Sequence, residues 1–236
     1  MFHTLGAVKN AIGIGEDEPE LRIEMEKESV QDCQRIIAST VKEKTELILR
    51  YGASAEKISV VPCGVNLELF QPMDKDLAKQ QLGFTDDKII LYVGRIEPLK
   101  GIEQLVKAIP YLPNSQGARL VIIGGDENSQ YEMERLMVLS RNLQIQGSVT
   151  FLGSIKQEEM PYFYSAADAC VIPSYYESFG LVALESLACG TPVVANDVGE
   201  FKSIIRQEET GYIVTDNSPH NLADKIALLL ARQRLD

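Results

Sequence analysis

From about residue 58 onward, short runs of β-branched and aliphatic residues alternate with stretches whose apolar positions recur at helical spacing. The runs at 58–61, 89–93, 119–123, 149–152, 169–172, 192–195 and 212–214 are predicted strands. Helices are predicted at 101–109, 129–143, 157–166, 181–189, 200–206 and 219–233. Strands apolar on both faces, each followed by a helix, make a parallel sheet covered on both sides. The pattern therefore predicts a doubly wound α/β domain over 58–236.

Residues 1–57 read differently. Glycines at 6, 13 and 15 and an acidic stretch at 16–20 suggest a loop, followed by a helix at 20–34, a short strand at 35–39 and a helix at 42–51. One strand makes no sheet, so this segment is expected to be the remnant of another α/β domain whose earlier strands lie outside the chain. Its helices would then show apolar faces without a partner, and the segment would be mobile, swapped or self-associated. The stretch 66–76, which holds Pro72, is the expected passage between the two.

Composition narrows the function. At 236 residues, 45% hydrophobic and 24% charged, the chain is an ordinary globular protein. With 23 Lys and Arg against 34 Asp and Glu, the net charge of −11 repels phosphate backbones and anionic lipid. No local basic patch offsets it, so neither nucleic acid nor a membrane surface is an expected partner. Cys33, Cys63, Cys170 and Cys189 form no paired motif, which fits a reducing cytoplasm, and no metal or other cofactor is expected. Apolar runs fall far short of the roughly 20 residues that span a bilayer.

The stretch 173–192 carries the most chemistry. A buried strand leads into a loop, a glycine and a helix, the arrangement that aims backbone N–H groups and a positive helix end at an anion. Phe179, Gly180 and Leu181 would supply those groups. Glu177 before the helix and Glu185 within it bracket the site, on the order of 12 Å apart at helical rise. Taken singly, each glutamate is a helix cap or a solvated side chain; next to a phosphate-shaped helix end they point to a ligand. Upstream, Arg95 and Lys100 follow the strand at 89–93 and would project over the same crevice, where two fixed cations suit a diphosphate leaving group.

The Glu177/Glu185 pair with Phe179-Gly180 between, together with Gly94-Arg95 and Lys100-Gly101, resembles the signature of retaining glycosyltransferases of family 4, which have the GT-B fold. Asp168-Ala169, Phe151-Leu152-Gly153 and Gly190-Thr191-Pro192 also stand where that family has them. The resemblance implies that Arg95 and Lys100 bind the donor diphosphate, Glu177 the hydroxyls of the donor sugar and Glu185 the ribose. Gly199-Glu200 departs from the family's paired glycines. The segment from Phe2 to Lys9 resembles that of the subgroup holding the mycothiol-pathway glycosyltransferase and sucrose-phosphate synthases. There the residue matching His3 lies against the donor sugar, and those matching Thr4 and Arg22, with Lys9 as a weaker candidate, hold an acceptor phosphate.

Other patterns are set aside. Gly13-x-Gly15 is followed by Glu18 where a dinucleotide fingerprint needs glycine. Asp74-x-Asp76 is a formal D-x-D, but a helix cap explains it better, and His220 reads as a helix start. Gly124-Gly125-Asp126 is either a tight turn or an approach to a base or phosphate.

The expected activity is transfer of a hexosyl unit from a UDP-sugar, such as UDP-glucose or UDP-N-acetylglucosamine, to a hydroxyl of a small-molecule acceptor. No metal takes part, and this chain alone is expected to be poorly active. A nucleotide-sugar epimerase and an inactive donor-binding fragment are the alternatives.

Overall fold

The computed structural model describes residues 4–84, 88–113 and 117–231. Its first unit comprises α1 (Gly6–Ile12), α2 (Glu20–Asp32), β1 (Ile36–Ala38), α3 (Val41–Tyr51) and β2 (Ile58–Val60). The second comprises α4 (Lys75–Leu82), β3 (Lys88–Val93), α5 (Ile102–Ala108), β4 (Ala118–Ile123), α6 (Gln130–Asn142), β5 (Val149–Gly153) and α7 (Met160–Ala166). It continues with β6 (Ala169–Ile172), α8 (Leu181–Ala188), β7 (Val193–Asn196), α9 (Phe201–Ile204), β8 (Gly211–Val214) and α10 (Pro219–Leu230).

β3 to β8 form one parallel six-stranded sheet in the order β5-β4-β3-β6-β7-β8. Alternate side chains enter different cores, as the two-residue period of a strand requires. Ile90, Tyr92, Leu120, Ile122 and Val171 pack with α5, α6 and α10. Ile89, Leu91, Val121, Cys170 and Val193 pack on the other face with α7, α8 and α9. Every residue of β6 and β7 is buried, which is why these strands read as continuous apolar runs. The order reverses direction between β3 and β6, and ligands of such sheets bind at that switch point, outside the carboxyl ends of the strands.

The first unit differs from the sequence expectation in two ways. β2, expected to open the second domain, pairs in parallel with β1, Ile36 opposite Ile58 and Ala38 opposite Val60. The segment 1–57 therefore holds one strand of a two-stranded sheet rather than a lone strand, and Ile58 belongs to its core with Leu5, Val8, Leu47 and Tyr51. Where a loop was expected, α1 forms because tertiary partners take its first N–H groups: Gly6 N donates to Glu26 and Ala7 N to the Tyr51 hydroxyl. In the expected passage, α4 begins at Lys75, its N-terminus capped by the Asp74 carboxylate accepting from Leu77 N at 2.9 Å.

Asp74 is thus a cap, and Ser218 likewise caps α10 just before Pro219 and His220. The His220 ring lies 3.9 Å from that of Tyr111. No helix among the described residues is long and apolar enough to cross a membrane.

Candidate functional site

The loops leaving β3 and β6 run side by side and are stapled together. Tyr175 N donates to Leu99 O at 3.0 Å. A Cβ on Gly101, at φ +66°, would lie 2.0 Å from Pro173 O, so only glycine admits this approach. Tyr92 donates its hydroxyl to Arg95 O at 2.8 Å and holds the turn at Gly94.

Between these loops and the N-terminus of α8 lies a cavity of about 270 Å³ lined by Arg95, Lys100, Glu177, Phe179, Gly180 and Leu181, among others. Six of the seven donor-side residues expected from sequence are therefore brought together. Gly180 sits at φ 108°, and a Cβ there would come within 2.3 Å of the Phe201 ring. The turn into α8 consequently demands glycine, and its backbone faces the cavity bare. Among the described residues, the N–H groups of Phe179, Gly180 and Leu181 make no hydrogen bond, so the helix end presents unspent donors and its positive dipole.

The two cations differ in their commitments. Arg95 is 61% exposed and reaches Glu97 at 3.0 Å, a surface pair typically worth less than about 1 kcal/mol. Lys100 is largely buried and holds Glu177 Oε1 at 2.6 Å, while the Ser174 hydroxyl donates to the same oxygen at 2.8 Å. Two residues expected to serve different parts of one ligand are thus paired with each other. Gly199, the retained member of the departing Gly199-Glu200 pair, packs its α-carbon region against Glu177; Glu200 merely starts α9.

Glu185 is the seventh residue, and it does not line this cavity. It lies on α8, while Glu177 lies in the loop four residues before that helix, so a helical rise does not relate the two. The Tyr164 hydroxyl donates to Glu185 Oε2 at 2.7 Å. Burial raises the Glu185 pKa, and that donated hydrogen bond opposes the shift. A second cavity, of about 400 Å³, shares Val93, Gly94 and Arg95 with the first and extends to Gly124, Gly125, Asp126 and Ser154. A Cβ on Gly124 would meet Gly94 O at 1.8 Å, so the tight turn and the cavity wall are the same feature.

The acceptor-side residues cluster on the first unit. Arg22 donates to Thr4 O at 2.9 Å and pairs with Glu18 at 2.7 Å and Glu26 at 3.0 Å, while Lys9 takes Glu18 at 2.6 Å. Thr4, Lys9 and Arg22 thus meet, with two carboxylates balancing the cations. His3 lies outside the described residues. Sequence reading missed Ser39 and Cys63, which close the first cavity from the opposite side, and Ser174, Tyr164 and Asn196. Ser174 stood in a stretch already singled out and Tyr164 just ahead of the Asp168-Ala169 pair; Ser39, Cys63 and Asn196 come from other segments. Among the described residues, no group of three or more His, Cys, Asp or Glu side chains could hold a metal ion.

Comparison with known proteins fits this geometry. Residues 74–236 match the family described as glycosyl transferases group 1. A D-inositol 3-phosphate glycosyltransferase from Catenulispora acidiphila is 40% identical over 97% of this chain and 56% of its own length. Sucrose-phosphate synthase from Thermosynechococcus elongatus superposes with a TM-score of 0.85 and 36% identity, over 98% of this chain and 57% of that one. HepE from Anabaena, solved in complex with UDP-glucose, gives a TM-score of 0.82 at 23% identity, over 91% of this chain and 59% of that one, and shows the shared fold alone. The chain thus spans little more than half the length of these relatives. A six-stranded parallel sheet with its cavity at the switch point, this family match and these GT-B neighbours agree: the chain belongs to the group 1 glycosyl transferases.

Proposed function

We propose that this chain carries the donor-binding half of a retaining glycosyltransferase that moves a hexosyl unit from a UDP-sugar to an acceptor hydroxyl. The observation that carries the reading is the meeting of Arg95, Lys100, Glu177 and the α8 N-terminus in one cavity at the switch point. A diphosphate would rest on the bare N–H groups of 179–181, with Arg95 and Lys100 balancing its charge. Both cations and the helix end act most strongly as the bond to the sugar breaks and negative charge grows on the leaving group.

Lys100 and Ser174 both hold Glu177 Oε1, and the carboxylate so placed is assigned to the sugar hydroxyls. The acceptor would then attack from the face the diphosphate leaves, and the departing phosphate oxygen would take its proton. Ribose is assigned to Glu185, oriented by Tyr164. With fixed cations in place, donor binding requires no divalent ion. On the other side of the cleft, Thr4, Lys9 and Arg22 suit an acceptor phosphate, and the curated relatives' names make D-inositol 3-phosphate the first acceptor to try. Transfer by this chain alone is taken to be slow: Leu21, Met25 and Leu49 on α2 and α3 are exposed apolar side chains, and catalysis requires the acceptor side to close on the donor.

The test is release of UDP from UDP-glucose and from UDP-N-acetylglucosamine, with and without D-inositol 3-phosphate, in excess EDTA. Acceptor-dependent release that survives chelation, with a product of retained anomeric configuration, is expected. Release that is lost on chelation, or a changed sugar epimer without glycoside, would overturn the reading.

A further inference from the structure

The loop that carries Glu177 is held from beneath by residues that touch neither cavity. The Asn196 amide, at the end of β7 and buried, donates to Ser174 O at 3.0 Å and to Pro173 O at 3.4 Å. Asn217, beyond β8, donates to Pro173 O as well. Two strand ends thus clamp the backbone of Pro173-Ser174. The clamp leaves the Ser174 side chain fully buried, with its hydroxyl donating to Glu177 Oε1. Among the described residues, that oxygen takes both contacts of the carboxylate, from Ser174 and from Lys100, and none is made by Oε2.

We propose that Ser174 is a positioning residue for donor-sugar recognition, acting through Glu177. This rests on the donor-site reading above. A diphosphate in the cavity competes for Lys100, since one ammonium has three donors to share between the carboxylate and phosphate oxygens. When Lys100 turns to the phosphates, Glu177 loses its strongest partner, and the Ser174 hydroxyl is the remaining donor that fixes the carboxylate. With Oε1 held from below, Oε2 accepts from a hydroxyl of the hexose. Ser174 therefore contributes to binding of the sugar and not to binding of the nucleoside diphosphate. The clamp explains why the hydroxyl can serve this way: Asn196 and Asn217 fix the backbone, so the serine rotamer has one buried acceptor to satisfy.

The experiment compares UDP with UDP-glucose and UDP-N-acetylglucosamine by calorimetry in the wild type, Ser174→Ala, Ser174→Cys and Ser174→Thr. Cysteine keeps the volume but is a weak donor, and threonine keeps the hydroxyl. Loss of a hydrogen bond to a charged group corresponds to about a tenfold or greater change in affinity. The alanine and cysteine variants are expected to lose about tenfold in UDP-sugar affinity beyond any loss for UDP, and threonine is expected to restore most of it. In a Glu177→Gln background, where the charge is gone, the further change from Ser174→Ala is expected to shrink. Equal losses for UDP and UDP-sugar, or an unchanged ratio in both the alanine and cysteine variants, would overturn the role of Ser174. Failure of the wild type to bind UDP at all would instead overturn the donor-site reading itself.

Discussion

The two units of this chain solve the same packing problem to different depths. In the second unit, β6 and β7 are buried along their whole length, and helices cover both faces of the sheet. In the first, β1 alternates buried and exposed, Ile37 is 45% exposed, and Leu49 on α3 is 76% exposed. Their charges differ in the same sense. Lys9 and Arg22 are taken up by Glu18 and Glu26 in the first unit, whereas of the two cations beyond β3 Lys100 pairs with Glu177 and Arg95 has only a surface contact. A strand buried on both faces holds its carboxyl end in place without help from the loop that follows it. Packing on both faces fixes the ends of β3 and β6, and among the described residues their loops leave Arg95 with a surface pair and the N–H groups of 179–181 without a hydrogen bond.

That contrast is breakable by mutation. The largest effect is expected at Asp168, which is 10% exposed, lies between α7 and β6 and binds Lys75 at 3.1 Å, Lys79 at 3.0 Å and Ile89 N at 2.8 Å, pinning α4 to the start of β3. Burial pushes its carboxyl up, but the two lysines and the Ile89 N–H outweigh this, and the net shift is downward. A carboxylate with a lowered folded pKa stabilises the fold above the ordinary carboxylate range and loses that contribution as pH falls through its folded value. Asp168→Asn is therefore expected to cost about 3 kcal/mol in urea unfolding at pH 7. The gap between wild type and variant should narrow as the pH drops below about 4. A pH-independent gap would mean that packing, and not charge, holds α4.

A far smaller effect is expected in the first unit. Leu49→Lys, on the exposed face of α3, should change stability by no more than about 0.5 kcal/mol. A loss of several times that amount would show that the face is covered in solution and would erase the contrast drawn between the units.

The strands of the second unit were legible within a residue or two because burial on both faces writes itself as unbroken apolar runs: 89–93 became Lys88–Val93, and 192–195 became Val193–Asn196. α1 was illegible because its N–H partners, Glu26 and Tyr51, come from other helices. Pairing of β2 with β1 was hidden for a similar reason: two three-residue strands carry too little pattern to announce a partner across α3. At the site, Arg95, Lys100, Glu177 and the Phe179-Gly180-Leu181 turn were readable from strand ends and a helix start. Ion pairing of Lys100 with Glu177 joins residues 77 positions apart and exists only in the folded chain. The same holds for Glu185, which accepts from Tyr164, 21 positions away, and does not line the cavity that holds Glu177.

The cavity at the ends of β3 and β6 is the one we propose to hold a diphosphate. Calorimetric titration of UDP and of uridine into the wild type and Arg95→Ala separates phosphate from nucleoside binding, because Arg95 lines the cavity and its removal disturbs only a surface pair. A charge-assisted contact to phosphate corresponds to roughly ten- to a hundredfold in affinity. That loss is expected for UDP, with uridine binding unchanged; equal losses for the two ligands would mean that the cavity does not hold the phosphates.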